Sequence, residues 1–171
     1  MKGTIIMAHQ FVVNATIQGI SLADFHRLAS DTTLHEAVCK RIPGENLEIL
    51  ESKKAGDIYT LKRAYNLEVN LPDIAKKLLK DAFRLKRTDV SDLSKMTSEV
   101  TLDPNLPLKA HCQRQVTGDD SQIQFQLEWS VKVNVPLIGG MLEKHAESEI
   151  RRFSQLEIGI VEDELRKNLT V

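Results

Sequence analysis

The clearest pattern in the chain is an alternation of apolar and polar positions between residues 122 and 135. Its apolar members are Ile123, Phe125, Leu127, Trp129, Val131, Val133 and Val135. A period of two is typical of a strand with one buried face and one face in water. We therefore predict a long strand that stops at Pro136, because proline cannot donate to a strand ladder.

After Pro136 the apolar positions change to a helical period. Leu142, Ala146, Ile150, Phe153, Ile160 and Leu165 form one stripe from about Met141 to Leu169. At 1.5 Å per residue this helix would reach roughly 42 Å, close to the roughly 45 Å of the preceding strand. Gly139 and Gly140 allow a sharp turn between the two elements. We expect the helix and the strand to lie side by side.

Shorter patterns fill the rest of the chain. Six further segments alternate in the same way. Four of them span 11–17, 59–69, 96–102 and 108–116. Another runs from Leu47 to a turn at 53–57, and the last begins at Phe83 and Leu85. Two short helices follow the first strand, with Ser21 and Asp31 as candidate N-caps, and a helical connection contains Ile74, Leu78 and Leu79. This order predicts an α+β fold in which one antiparallel sheet faces one layer of helix.

Length and composition fit one compact unit. With 171 residues, 42% apolar and 27% charged, we expect a single domain over 1–171, in which 1–9 is a possible N-terminal extension. No segment has the length of a signal peptide core or a membrane span, which favours a cytoplasmic protein without stable membrane insertion. Cys39 and Cys112 are interpreted as small buried apolar residues, with a disulfide left open.

The charge balance argues against nucleic acid as a partner. The net charge is −1, from 23 basic and 24 acidic residues, so no excess positive field attracts phosphate. The basic stretches at 76–80 and 84–87 are interpreted as solvated faces of a helix and a strand. Oligomeric state and biological process are not indicated by the sequence.

The order of elements resembles the helix-grip fold of the START-like, Bet v 1-like (SRPBCC) superfamily, a curved antiparallel sheet wrapped around a long C-terminal helix. The segment Val131 to Gly140, followed by 142–144, is similar to the prokaryotic DUF2505 family of unknown function. Leu71-Pro72 and the short helix with Lys76 and Lys77 also fit that family. The resemblance implies a cavity for a hydrophobic small molecule or lipid, and it assigns a role to no residue.

Two arginines interrupt otherwise apolar strand faces. Arg63 lies between Leu61 and Tyr65, and Arg114 lies between Cys112 and Val116. A guanidinium facing a dry core loses its hydration, so each needs a cavity, a ligand or an ionic partner. We predict a ligand-binding site made of Arg63, Arg114, Tyr59, Tyr65 and Trp129. Alternatively, the arginines extend outward at the sheet edge or pair with an acid such as Glu51, and the aromatic residues fill the core.

Motifs for catalysis, metal or cofactor binding are missing from the sequence. The five histidines form no HExxH pair, and the chain has no P-loop, dinucleotide fingerprint or nucleophile elbow. His145 and Glu149 are interpreted as a surface pair at i,i+4 spacing. The leading hypothesis is therefore a non-enzymatic binder. A cyclase- or hydrolase-like enzyme using the same cavity and a protein-interaction module with a filled core are the alternatives.

Overall fold

The computed structural model describes residues 8–169, and within them it contains a seven-stranded curved antiparallel sheet and four helices. The strands are β1 (His9–Gln18), β2 (Glu45–Ala55), β3 (Ile58–Asn66), β4 (Arg84–Asp92), β5 (Thr97–Pro104), β6 (Leu108–Gly118) and β7 (Gln122–Val133). The helices are α1 (Leu22–Ala29), α2 (Thr33–Arg41), α3 (Asp73–Lys76) and α4 (Gly139–Leu169). Residues 1–7 of the expected N-terminal extension lie outside the described residues.

The strands lie in the order β1-β7-β6-β5-β4-β3-β2, so the first strand pairs with the last one and the other neighbours are consecutive in the chain. The register aligns Phe11 with Trp129 and Trp129 with Cys112. Residues opposite each other in an antiparallel pair point to the same face. These three side chains are buried, so the alternation in the sequence marks the face that packs beneath the helices.

The long helix α4 packs against β1, β7 and α2. Its start is fixed to the end of β7, because the Glu143 carboxylate accepts a hydrogen bond of 2.9 Å from the Val133 amide. A side chain at Gly139 would bring its Cβ within 2.9 Å of the Val133 carbonyl oxygen. This close approach explains why a glycine stands at the strand-to-helix junction.

The helix-grip prediction is correct, and some predicted element boundaries move. The third strand ends at Asn66 rather than Val69, because residues 67–71 leave the sheet while Leu67, Val69 and Leu71 still face the interior. Their alternation reflects alternate burial in a loop. The last strand ends at Val133 rather than Val135, and α4 begins at Gly139 rather than about Met141.

Strand β2 is the edge strand beside β3, and its apolar residues are not covered. Leu47 is 43% and Ile49 is 49% exposed. A period-two pattern specifies two faces but does not specify that another layer covers one of them. No helix of the described residues 8–169 has the length and apolar character needed to cross a bilayer.

Candidate functional site

An apolar cavity, partly open to solvent, lies between the sheet and α4. Its volume is about 150 Å³. Apolar side chains from β3, β4, β5, β7, α4 and the 67–72 loop make most of its wall, among them Tyr65, Leu67, Leu85, Leu102, Trp129, Val133, Ala146, Ile150 and Phe153. We call this space the apolar cavity.

Trp129 is one of the aromatic residues in the wall of the apolar cavity. Its indole stacks on Phe11, with ring centroids 6.4 Å apart and an angle of 15° between the planes. Its Nε1–H is buried and has no hydrogen-bond partner within residues 8–169. An unpaired buried donor costs free energy, so an acceptor group placed here would be stabilised.

A second cavity, also partly open, is smaller and has charged and polar side chains in its lining. Its volume is about 50 Å³, and we call it the polar cavity. Its lining comes from α2, β3, β4, β6, β7 and α4: Leu34, His35, Val38, Cys39, Tyr59, Leu61, Arg63, Asp89, Ser91, Arg114, Phe125, Glu157 and Val161. Glu157 also lines the apolar cavity, so this carboxylate lies at the boundary between the two spaces.

A buried ionic network centred on Arg87 separates the cavities. The Arg87 Nε and Nη2 atoms donate to the two carboxylate oxygens of Asp89 at 2.8 and 2.9 Å. Its Nη1 and Nη2 atoms donate to Glu157 at 2.8 and 3.0 Å. Both carboxylates are thus bound in the bidentate geometry that suits a guanidinium, and β4 is joined to the middle of α4.

The network keeps its carboxylates ionised. Burial alone would raise the pKa of Asp89, but the positive charges of Arg87 and then Arg63 outweigh it and lower that pKa to about 2. Burial likewise opposes ionisation of Glu157, and Arg87 outweighs it, so the pKa of Glu157 is also lowered. Both groups are therefore anionic near neutral pH.

Arg63 is buried beside this network without joining it. The residue is 3% exposed, its Nε has no hydrogen-bond partner within residues 8–169, and it forms no direct ion pair there. Arg63 therefore does not extend outward at an edge, and Glu51 is not its partner. Arg114 is half-buried and donates to the Ser98 hydroxyl at 2.8 Å.

The five predicted site residues divide between the cavities. Tyr65 and Trp129 line the apolar cavity, while Tyr59, Arg63 and Arg114 line the polar one. The Tyr59 hydroxyl is 2.8 Å from the Ser52 hydroxyl, and its ring stacks on His35 with centroids 5.6 Å apart. Burial raises the pKa of Tyr59 and that of Tyr65, so both phenols stay neutral.

Sequence reasoning missed the ionic network. The interpretation of Arg87 as part of a solvated strand face is wrong, because Arg87 is 9% exposed. A signal was present, since Leu85, Arg87, Asp89 and Ser91 alternate on β4 and face inward. Glu157 likewise lies four residues after Phe153 on the apolar stripe of α4, but neither pattern indicates that these groups meet.

His145 and Glu149 do not form the surface pair expected from their spacing, because both bind Asn70. His145 Nε2 contacts the Asn70 carbonyl oxygen. The Asn70 backbone amide and side-chain Nδ2 donate to Glu149 at 3.2 and 3.3 Å. All contacts join α4 to the 67–72 loop, whose Val69 and Leu71 line the apolar cavity, so this connection holds the loop against the cavity.

The two cysteines are free and buried. Burial raises the pKa of Cys39 and raises that of Cys112 to about 12, so both are neutral thiols near neutral pH. Within residues 8–169 no group of three or more His, Cys, Asp or Glu side chains is arranged to hold a metal ion.

Solved structures with this architecture share little sequence with the chain. The Zhui aromatase/cyclase from Streptomyces sp. R1128 is 14% identical, with a TM-score of 0.63 and coverage of 95% of this chain and 98% of that chain. Norcoclaurine synthase from Thalictrum flavum, solved with dopamine and hydroxybenzaldehyde, is 17% identical, with a TM-score of 0.59 and coverage of 100% and 95%. A START superfamily protein from Mycobacterium smegmatis is 14% identical, with a TM-score of 0.55 and coverage of 91% and 97%.

These likenesses establish the START/Bet v 1-like fold. A comparison with curated protein sequences gives no significant match. The model of one family, described as a protein of unknown function (DUF2505), matches residues 13–163. Because this match covers most of the chain, the chain belongs to the DUF2505 family.

Proposed function

We propose that the protein binds a hydrophobic small molecule, or the apolar part of a lipid, in the apolar cavity between the sheet and α4. The observation that carries this proposal is the cavity itself, of about 150 Å³ with a mostly apolar wall. An apolar space of that size accommodates a molecule of about the size of benzene.

The cavity wall also favours one feature of the ligand. Trp129 lines the space and its buried Nε1–H has no partner within residues 8–169. A ligand with a carbonyl, ether or hydroxyl oxygen near this indole would satisfy the donor at the cost of a small displacement. The favoured ligand is therefore an apolar body with one hydrogen-bond acceptor.

Binding in this cavity is testable through the fluorescence of Trp129, which is the only tryptophan in the chain. Titration with a panel of small aromatic ketones, alcohols and matched hydrocarbons should change its emission saturably. The oxygen-containing compounds should bind more tightly than the hydrocarbons. Native mass spectrometry of protein purified from its own host would then identify a retained ligand.

A matched pair of variants locates the binding. Ala146 lines the apolar cavity, so Ala146→Phe should fill it and abolish the fluorescence response. Ala23 is exposed on α1, and Ala23→Phe should leave the response unchanged. If every compound leaves Trp129 emission unaffected, or if Ala146→Phe binds as well as the wild type, the proposal is wrong.

An enzyme of the cyclase or hydrolase kind is the second candidate, because His145, Glu149 and Glu157 contribute polar groups to the same cavity. All three are engaged in bonds to Asn70 or Arg87, which favours a binding role. Chemical conversion of a bound compound, lost in a His145→Ala variant, would support the enzyme instead. We place either activity in the cytoplasm, consistent with two free thiols.

A further inference from the structure

The polar cavity has a ligand chemistry of its own. We propose that it binds one small monovalent oxyanion of carboxylate type, held by Arg63 and Arg114. This site is separate from the apolar cavity, and the inference does not rest on the function proposed above.

The charges around the polar cavity do not balance. Arg63, Arg87 and Arg114 bring three positive charges, while Asp89 and Glu157 bring two negative ones. Arg114 is half-buried, so the third positive charge stays partly in contact with water. Arg63 is buried and forms no ion pair of its own, which is unfavourable unless an anion compensates it, and one monovalent anion between Arg63 and Arg114 would balance the charges.

The other titratable side chains of the cavity do not supply the missing negative charge. Burial, followed by the positive charge of Arg114, lowers the pKa of His35, so this ring is neutral at pH 7. Burial raises the pKa of the Cys39 thiol and of the Tyr59 phenol, so neither is an anion. The excess charge therefore persists across the neutral pH range.

The arginines also leave donors available. Arg87 already serves both carboxylates, whereas the Nε of Arg63 has no partner within the described part of the chain. For Arg114, the bond from Nη2 reaches the neutral Ser98 hydroxyl at 2.8 Å. A guanidinium presents its N–H groups as a planar fork that matches a carboxylate, so an oxyanion fits the donors that remain.

The volume of the polar cavity limits the size of the anion. About 50 Å³ exceeds the space needed for one water molecule and is enough for a group such as formate or acetate. The carboxylate head of an amphiphile lying in the apolar cavity would have to pass the Arg87–Glu157 ion pair, in which Nη1 and Oε2 are 2.8 Å apart. This barrier favours a small free carboxylate.

The test uses the full chain and the arginine Nε–Hε signals in ¹H–¹⁵N NMR spectra. Addition of formate should shift the Arg63 Nε–Hε signal saturably, and acetate should do so more weakly or equally. Gluconate at the same ionic strength is too large for the cavity and should leave the signal in place. If formate and acetate leave the Arg63 signal unchanged, or if gluconate shifts it equally, the proposed site does not exist.

Variants assign the effect to the site. Arg63→Met removes the unpaired cation and should weaken formate binding at least about tenfold, the equivalent of one charge-assisted hydrogen bond. Arg27 is exposed on α1, and Arg27→Met makes the same change in net charge but should bind formate normally. Equal affinity of Arg63→Met and Arg27→Met would refute the assignment. If Arg63→Met does not fold, the wild-type titration still decides the proposal.

A further experiment shows whether the carboxylate is a free small anion or the headgroup of an amphiphile. Octanoate and its neutral analogue octanol are compared for their effect on the Arg63 signal. A shift with formate and none with octanoate supports a free small anion. A shift with octanoate alone would overturn the proposal of a separate site and would make the polar cavity the headgroup end of the apolar cavity.

Discussion

Arg63 and Arg87 lie directly opposite each other on β3 and β4, with both side chains facing the interior. Of the two, Arg87 alone forms ion pairs within residues 8–169, through Asp89 and Glu157. Like charges opposite each other on one face of a sheet destabilise it. The arrangement is tolerated because the two carboxylates draw Arg87 into their network while Arg63 faces the polar cavity.

The two arginines should respond differently to replacement. Arg87→Met leaves two buried carboxylates without an ionic partner and should lower the free energy of unfolding by about 3–5 kcal/mol. Arg63→Met removes a buried charge that has no direct ion pair but also removes its attraction to Asp89, so it should change this free energy by much less than Arg87→Met does. Urea denaturation of both variants measures the difference. A larger loss for Arg63→Met than for Arg87→Met would contradict this account of the interior.

The network also makes stability depend on pH. The pKa of Asp89 is lowered from 3.8 to about 2 in the folded chain, so its contribution is fully present above pH 3.8. The contribution is lost as the pH falls from 3.8 through about 2, because Asp89 takes up its proton at a higher pH in the unfolded chain than in the folded one. This one group contributes about 2 kcal/mol of pH dependence.

An Asp89→Asn variant removes that titration. It should lose about 3–5 kcal/mol of stability at pH 7, and the difference from the wild type should shrink between pH 4 and pH 2. Urea melts across this range provide the measurement, with Asp81→Asn, an exposed site, as the control. A difference that stays constant down to pH 2 would show that Asp89 is not ionised in the folded protein.

The contacts of Asn70 with α4 should restrict the 67–72 loop. Glu149→Ala removes the acceptor of both the Asn70 backbone amide and its Nδ2, so the Asn70 amide should exchange with solvent faster. Glu162→Ala removes an equal charge from an ion pair elsewhere on α4 and should not affect this amide. Hydrogen exchange followed by NMR tests the prediction, and unchanged exchange in Glu149→Ala would contradict it.

Both cysteines should be unreactive in the folded protein. Cys39 and Cys112 are buried, and burial raises the pKa of each, while the thiolate is the reactive form. A thiol reagent such as DTNB should label neither at pH 7.5 and both after unfolding in urea. Rapid labelling of Cys39 in the native protein would show that the interior beside the polar cavity opens readily.

One glycine of α4 should be replaceable with a gain in stability. A Cβ at Gly159 meets no atom within 4 Å, and alanine is favoured over glycine within a helix by about 0.5–1 kcal/mol. Gly159→Ala should therefore raise the melting temperature. Gly118→Ala is the contrasting variant, because its Cβ would lie 2.4 Å from the Gln122 carbonyl oxygen. This variant should lower the melting temperature.

The sequence alone determined the fold class and the direction of most strand side chains. The alternation through Ile123 and Trp129 and the stripe through Leu142 and Ile150 are local, because the period of each element is set by backbone geometry. For the same reason, the alternation along β3 is enough by itself to place Arg63 on an inward face. Its burial at 3% exposure agrees with that placement.

Only the tertiary structure decided which inward groups meet. Tyr59 and Tyr65 share a strand face but stand about 20 Å apart along it, and so they line different cavities. Arg87 and Glu157 are 70 residues apart in the chain and touch because the path of α4 over the sheet brings Glu157 beside β4. A periodic pattern predicts which face of its element each residue lies on, but it does not predict which residues of other elements lie beside it. The charge balance of a cavity depends on those neighbours.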